Sequence, residues 1–161
     1  MEEHYRIFMD IEGIRVSKTH ICIRKLAMVN INNTKERLVI EGYPCKKFDD
    51  IEGKYQRSFI HCFKKIHSLC YYPQGKHVLC SQISDDLRRR FNVGKCHFYY
   101  KGGQLEKDFL TTLDVKGTDI ERFACPRYDI LKTWYGINDE FHDPTLECLA
   151  FIRWMTENSC S

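Results

Sequence analysis

The first 44 residues contain three short stretches dominated by apolar and β-branched residues, each bounded by polar turns. This pattern predicts strands over residues 4–16 and 20–31, with the polar turn "SKT" between them. The segment "TKERLVIEGYP" alternates well enough between apolar and polar positions to be a third strand, and "NINNTK" forms the turn before it. We therefore expect the chain to begin with three strands joined as hairpins.

From residue 48 the pattern changes to helices and strands that alternate. Apolar residues recur every three to four positions from Phe48 to Cys70, which predicts one helix with a single buried stripe. The segments "SQISDDLRRRFN" and "QLEKDFLTTL" are predicted helices, whereas "KCHFYYKG" and "TDIERF" are predicted short strands. Asp143 as N-cap and Pro144 at the first helical position predict a last helix through "TLECLAFIRWM".

This order of elements indicates an α/β protein. Three hairpin strands, a helix, and then alternating strands and helices are typical of a mixed sheet flanked by helices. The ribonuclease H-like fold has this layout, although other α/β folds share it. The sequence shows no repeat and no domain boundary, so we expect a single domain over residues 1–161 that buries a real core.

Composition and charge leave the class of function open but favour an intracellular protein. Hydrophobic residues make up 43% of the chain and charged residues 29%, which is ordinary for a globular protein, and no stretch is apolar enough to span a membrane. Nine scattered cysteines behind the polar start "MEEHYR" favour reduced thiols in the cytoplasm or nucleus over a disulfide framework. A net charge of +3 permits a nucleic-acid partner without requiring one.

Two acidic residues interrupt the apolar centre of the first predicted strand. Asp10 and Glu12 in "FMDIEG" are two positions apart, so their carboxylates project from the same face of the strand. Like charges held this close repel each other and lose hydration unless a cation lies between them. A solvent-exposed strand face would also explain the pair, so further acids in the chain decide between the two interpretations.

Two more carboxylates and a histidine extend the acidic pattern. Glu106 opens the helix after the fourth predicted strand, with Asp108 as a rival, and Glu147 lies in the first turn of the last helix, five positions after His142. Such a set at one end of a mixed sheet is typical of sites that hold two divalent cations about 4 Å apart, which together activate a water and stabilise the leaving oxygen of a phosphodiester. Oxygen ligands favour Mg²⁺ or Mn²⁺.

In this order, the three segments resemble the motifs of the DEDDh family of 3′–5′ exonucleases. That family has Asp-x-Glu on its first strand, an Asp at a helix start in mid-chain, and a His five positions before a final Asp. Here "MDIEG" carries Asp10 and Glu12, and "LEKDFL" carries Glu106 in the Asp position. His142 through Glu147 forms the third motif, again with Glu for Asp. The layout of "YKGG" and "CPRYD" is similar to that of small exonuclease-like proteins of insects and other invertebrates.

The resemblance implies a ribonuclease H-like domain that acts on RNA or DNA with a free 3′ end. Its four carboxylates would hold two Mg²⁺ or Mn²⁺ ions, and His142 would be the general base. Two of the acids are one methylene longer than those of the family, which moves a ligand oxygen by roughly 1 Å. The alternative is therefore a domain of the same fold that binds RNA or a protein partner without cutting.

Contacts to nucleic acid are predicted at two places. Arg88 and Arg89 in "LRRRF" have the charge to meet phosphates, although such runs are commonly solvated helix faces. By resemblance to the family, the side chain of Ile11 and the backbone up to Gly13 border the metals and would contact the terminal nucleotide.

The cysteines offer a different chemistry. Cys125, His142 and Cys148, together with Glu106, could close a tetrahedral zinc site, and a Glu-Cys-His-Cys set in this order is similar to that of the Maelstrom domain, a ribonuclease H-like domain of the small-RNA pathway. Against this hypothesis, the sequence has no C-x2-C or H-x3-H pair, the close spacing that makes zinc motifs specific. The zinc hypothesis also gives no reason for the presence of Asp10 and Glu12.

Overall fold

The computed structural model describes residues 4–18, 20–61, 69–140 and 143–158. Within them, six strands form one mixed sheet. The strands are β1 (Tyr5–Arg15), β2 (Ile21–Asn30), β3 (Arg37–Tyr43), β4 (Val78–Leu79), β5 (Cys96–Tyr100) and β6 (Gly117–Asp119). Their order across the sheet is β4-β3-β2-β1-β5-β6. The predicted α/β class and the first three predicted strands are confirmed.

The sheet has an antiparallel half and a parallel half, which meet at β1. β1, β2 and β3 are antiparallel neighbours, as short hairpin turns require. β5 pairs in parallel with β1, and β6 pairs in parallel with β5. At the other edge, the two-residue β4 is parallel to β3. The chain crosses between parallel strands through helices, as the alternating second half of the sequence predicted.

Five α-helices accompany the sheet in the described part of the chain. They are α1 (Gly53–Phe59), α2 (Ile83–Arg90), α3 (Gln104–Thr112), α4 (Tyr128–Tyr135) and α5 (Pro144–Glu157). Short 3-10 turns lie at Phe48–Asp50, Cys80–Gln82, Val93–Lys95 and Ile120–Phe123. None of the described helices combines the length and the apolar character that crossing a membrane requires.

Alternation along β1 separates the helices into two layers. Phe8 belongs to a core that α4 and α5 complete on one face of the sheet. Met9 and Ile11 belong to a core that α2 and α3 complete on the opposite face. A third, smaller core around Ile14 and Phe59 holds α1 against the far end of β1. Asp10 and Glu12 therefore point to the side of the sheet on which α5 packs.

A β-bulge bends the β1–β2 ladder directly beside the two acids. Glu12 is opposite Lys25 whereas Gly13 is opposite Ile23, so Arg24 is the extra residue. The Arg24 side chain is 1% exposed, and its guanidinium donates hydrogen bonds to two backbone carbonyls. The bulge thus has its own buried anchor and gives the end of β1 an added twist.

The helix predicted from Phe48 to Cys70 begins later than the sequence pattern indicated. Residues Phe48–Asp50 form a 3-10 turn, Ile51 is extended, and α1 begins at Gly53. The Gln56 side chain explains the break, because its Nε2 donates to the carbonyls of both Phe48 and Ile51. Residues 62–68 of the predicted helix lie outside the described residues, and Leu69 and Cys70 are not helical.

Two other elements differ from the prediction. The segment "TDIERF" is a strand only through Asp119, because the Asp119 carboxylate accepts from the N–H of Glu121 and starts a 3-10 turn. The helix α4 was not predicted, although its buried residues Tyr128 and Leu131 are three positions apart, the spacing of one helix face.

Candidate metal centre

Three acidic side chains from two elements converge beside the middle of β1. Asp10 and Glu12 project from the same face of β1 as Phe8, on which α5 packs. Glu147 lies in the first turn of α5. The ligand oxygens of Asp10, Glu12 and Glu147 all lie within 4.8 Å of one another. The structure thus brings together three of the four carboxylates that the sequence singled out.

A local cap fixes the start of α5 and so the position of Glu147. The Asp143 carboxylate accepts hydrogen bonds from the N–H groups of Thr145 at 2.9 Å and Leu146 at 3.2 Å, and Pro144 occupies the first turn. This confirms the helix start predicted from the Asp-Pro pair. Glu147 is therefore held on a capped helix and not on a loop.

Glu106 reaches β1 from the other layer, past the end of β5. The β1–β5 ladder runs along β1 from Tyr5 to Phe8, and β5 then ends. At the edge of β1 beyond this ladder, the N–H of Ile11 donates to Glu106 Oε1 at 3.1 Å. Gly103 makes room for this contact, because a Cβ at Gly103 would overlap Glu106 Oε2. Asp108, the rival acid, is exposed and accepts a hydrogen bond from Gln104 Nε2.

The four carboxylates share one electrostatic environment. Burial raises the pKa of Glu106 to about 8, and the nearby charge of Asp10 adds to the effect. Burial also raises the pKa of Glu147 to about 7, although a hydrogen bond with Asp10 opposes the shift, while Glu12, Asp139 and Glu106 add to it. Both groups thus hold protons near neutral pH, and a cation bound here would compete with those protons.

The donor set fits a hard divalent cation. The three carboxylates, whose oxygens lie within 4.8 Å of one another, supply oxygen donors alone. Oxygen donors are the ligands that Mg²⁺ and Mn²⁺ prefer. One side-chain oxygen each of Asp10 and Glu12 is fully enclosed by protein. The residues could therefore hold such an ion, and its identity belongs to the proposal below.

Two charged residues near the carboxylates were missed by the sequence analysis. Asp139, in the segment after α4, pairs with Lys132 Nζ at 2.6 Å and accepts from the Tyr128 hydroxyl at 2.8 Å. Its charge contributes to the raised pKa of Glu147. Asp139 was missed because its partners Lys132 and Tyr128 both lie on α4, a helix that was not predicted.

Lys25 is the second missed residue. It lies opposite Glu12 in the β1–β2 register, so the two side chains leave the same face of the sheet. Its Nζ is 3.7 Å from Asp143 Oδ2 at the cap of α5. This places one positive charge at the border of the acidic group.

The predicted nucleic-acid contacts lie in different places. Arg88 donates to the carbonyl of Thr112 at 2.6 Å, at the end of α3 opposite Glu106, and Arg89 pairs with Asp86 at 3.2 Å. The structure therefore does not bring these arginines to the carboxylates. His142, the predicted general base, lies outside the described residues.

Ile11 and Gly13, the two residues predicted to contact the terminal nucleotide, have different surroundings. The Ile11 side chain is 5% exposed and belongs to the α2–α3 core, so this placement does not favour its contact with a nucleotide. Gly13, the residue after Glu12 in the chain, instead borders a cavity of about 310 Å³. The cavity is lined by Gly13, Ile14, Arg15, Ile21, Tyr55, Ser58, Phe59 and Leu105.

The zinc site proposed from Glu106, Cys125 and Cys148 is not assembled in the described residues. The Cys148 thiol is fully buried and lies 4.0 Å from the carbonyl oxygens of Phe8 and Ala27, in the α4–α5 core. Cys125 belongs to the same core. Glu106 extends from α3, on the opposite side of the sheet, and is held at the edge of β1. Among the described residues, Glu106, Cys125 and Cys148 do not form a metal-ligating group, although the charge of Glu106 contributes to the raised pKa of Cys148.

Comparison with known proteins gives no family assignment. A scan against models of protein families finds no match, and a search of curated protein sequences finds no significant relative. The function is therefore inferred from the site and its surroundings.

Proposed function

We propose that this protein is a metal-dependent nuclease with a ribonuclease H-like fold, which removes nucleotides from the 3′ end of RNA or DNA. The observation that carries the proposal is the convergence of Asp10, Glu12 and Glu147 within 4.8 Å, with Glu106 held at the adjacent edge of β1. These are the four acids that fall in the motif positions of the DEDDh exonucleases.

The topology supports the proposed fold family. Three antiparallel strands are followed by two strands parallel to β1, which gives the order β3-β2-β1-β5-β6 with β4 added at one edge. In this arrangement β1 lies in the middle of the sheet, and its acids are reached by helices that begin on either side. A ribonuclease H-like nuclease uses the same central strand for its first two acids.

Each carboxylate has a defined role in the proposed site. Asp10, Glu12 and Glu147 would hold Mg²⁺ or Mn²⁺, with Glu106 as the fourth acid. Bound ions supply activation of the attacking water and stabilisation of the leaving oxygen. The protein contributes position: the Ile11 N–H orients Glu106, and the capped start of α5 orients Glu147. His142, five residues before Glu147, is proposed to accept the proton of the attacking water.

The cavity beside Gly13 is proposed to take the terminal nucleotide. It adjoins Glu12 in the chain and has Tyr55 and Leu105 in its walls, so a base could pack against an aromatic and an aliphatic side chain. Arg15 borders the same cavity and brings a positive charge. If the cavity binds the terminal nucleotide, the enzyme acts from a chain end and not within a strand.

A cleavage assay tests the proposal. End-labelled single-stranded RNA and DNA are incubated with Mn²⁺ or with chelator, beside a circular DNA and a substrate blocked by a 3′-phosphate. We expect metal-dependent shortening from the 3′ end, none on the circle, and none for Asp10→Asn. Cutting of the circle at a comparable rate would indicate an endonuclease. Binding of substrate without cleavage under all conditions would indicate the non-catalytic alternative.

A matched variant makes this assay specific for the acidic group. Asp108 lies two residues after Glu106 on the same helix but is exposed and pairs with Gln104. Asp108→Asn therefore removes one negative charge close to Glu106 without changing a carboxylate of the proposed site. It should cut as the wild type does.

A further inference from the structure

A second group of metal-ligating side chains lies at the β3–β4 edge of the sheet. His20 Nε2 is 3.0 Å from Cys45 Sγ, and Cys22 Sγ is 2.8 Å from Cys45 Sγ. The ligand atoms of His20, Cys22 and Cys45 all lie within 4.8 Å of one another. The thiol of Cys80 lies near enough to interact electrostatically with those of Cys22 and Cys45. Three residues thus direct one nitrogen and two sulfur atoms to a common point, with the Cys80 thiol nearby.

Three separate segments of the chain contribute to this group. His20 and Cys22 are two positions apart at the start of β2, so the extended chain presents both on one face. Cys45 follows the end of β3 by two residues, and Cys80 directly follows β4. The pairing of β2 with β3 and of β3 with β4 therefore builds the group.

We propose that His20, Cys22, Cys45 and Cys80 bind one structural zinc ion. Three thiolates and one imidazole form a common zinc ligand set, and four protein ligands leave no open position for a substrate. This site is distinct from the carboxylate group in its residues and in its donors, and it does not depend on the proposed function.

The distances agree with this assignment after a small adjustment. Tetrahedral zinc with bonds of about 2.3 Å to sulfur separates its sulfur ligands by roughly 3.7 Å. The thiols of Cys22 and Cys45 lie 2.8 Å apart, so they would need to separate by about 1 Å. Both cysteines are free thiols. Cys45 and His20 are exposed whereas Cys22 is buried, so an ion can enter from solvent and become attached to the core.

The proposed zinc would tie the connection between β3 and α2 to the sheet. The connection between β3 and α2 contains α1 and the two-residue β4. Cys45 lies near its start and Cys80 near its end, and both would be tied to β2 through Cys22. Because this connection also supplies Tyr55 and Phe59 to the cavity beside Gly13, the zinc would hold one cavity wall in place.

Metal analysis of the purified full chain, prepared without chelator, tests the proposal. We expect one zinc per chain by mass spectrometry. Cobalt(II) replacement should give the thiolate charge-transfer bands and the intense visible bands of a tetrahedral site. Cys45→Ser and Cys80→Ser should lose tightly bound metal and melt at lower temperature. The control Cys96→Ser changes a free thiol on β5, and Asp10→Asn changes the carboxylate group; both should keep the zinc.

Two measurements on the wild-type chain keep the test decisive if the serine variants do not fold. Zinc should protect Cys45 from alkylation, and its removal should expose Cys45 to the reagent. A wild-type chain without zinc that also gives no thiolate bands with cobalt(II) would overturn the proposal. So would a Cys22–Cys45 disulfide as the form that accumulates, or loss of the zinc in Asp10→Asn.

Discussion

The N–H of Ile11 donates to the Glu106 carboxylate at 3.1 Å, across 95 positions of sequence. This hydrogen bond is made at the edge of β1, just past the point where β5 ends, so a backbone group that the sheet leaves available orients an acid from α3. The residue that donates stands between Asp10 and Glu12. The first and second acidic segments of the sequence are therefore joined by one contact, which suggests a sharp test of Glu106.

Glu106→Gln should abolish metal-dependent cleavage while the fold is kept. Glutamine retains an oxygen that accepts from Ile11 but lacks the negative charge that binds a cation. We expect a loss of activity above about 100-fold, which is the upper end of the loss that is typical when a residue that orients a metal ligand is changed. The melting temperature in metal-free buffer should stay the same or rise at pH 8, because a buried charge that burial disfavours is removed. Full activity of Glu106→Gln would exclude Glu106 from the site.

The stability of the protein without divalent cations should fall as pH rises from about 4.5 to about 8. The pKa of Glu106 is raised to about 8 and that of Glu147 to about 7, so the folded state binds more protons than the unfolded state across this range. The stability that these two carboxyls contribute is fully present below their pKa in the unfolded chain. It is lost as pH rises through their pKa in the folded protein. Urea unfolding at several pH values measures the slope.

Two comparisons identify the source of that slope. Glu106→Gln should have a flatter dependence of unfolding free energy on pH, because its side chain does not titrate. Saturating Mg²⁺ should restore stability most at pH 8, where the carboxylates are charged. A slope equal in wild type and Glu106→Gln would mean that Glu106 titrates normally.

The first three strands and the start of α5 could be predicted because their signals are local. Runs of β-branched residues between short polar turns specify hairpins, and Asp143 caps a helix that Pro144 begins, within three residues. The break before α1 could not be predicted in this way. It depends on the Gln56 side chain, which bonds the carbonyls of Phe48 and Ile51, and no hydrophobic period reports such a bond.

The same distinction applies to the two candidate sites. Asp10 and Glu12 could be found because a strand places residues two apart side by side, and Glu147 because it lies in a recognisable first turn. The group around Cys45 could not, since Cys22 lies 23 positions before it and the strand pairing alone brings the two together. The alternative zinc site of Glu106, Cys125, His142 and Cys148 is not assembled in the described residues for the converse reason. Their order suggested a site, but the fold buries both cysteines in the core.

His142→Ala should lower the cleavage rate by about 10²–10⁴-fold, the usual contribution of a general base. Metal affinity should hardly change, because the imidazole is proposed to accept a proton from the water and not to bind the ions. Raising the pH should partly rescue the variant, since hydroxide replaces the missing base. Glu147→Ala is the contrasting variant and should lose metal binding together with activity. If His142→Ala also loses metal binding, His142 is a ligand and not the base.

Gly103→Ala should impair the site through Glu106 alone. Gly103 has an extended backbone with φ of −165°, which any residue adopts, so alanine causes no backbone strain. Its Cβ would, however, overlap Glu106 Oε2 and push the carboxylate away from the Ile11 N–H. We expect cleavage to fall at least about tenfold, since small misplacements of catalytic groups are costly. Gly75→Ala, where a Cβ meets open space, should leave the rate unchanged.

The double variant Gly103→Ala with Glu106→Asp separates displacement of the acid from general disturbance of the turn. Aspartate is one methylene shorter, so its carboxylate withdraws from the space that the new methyl group fills. If overlap with Glu106 causes the loss, the two changes should be less harmful together than their separate effects predict, as a double-mutant cycle of cleavage rates will measure. Additive losses would place the damage elsewhere in the turn, and an undiminished rate for Gly103→Ala would contradict the orientation of Glu106 described above.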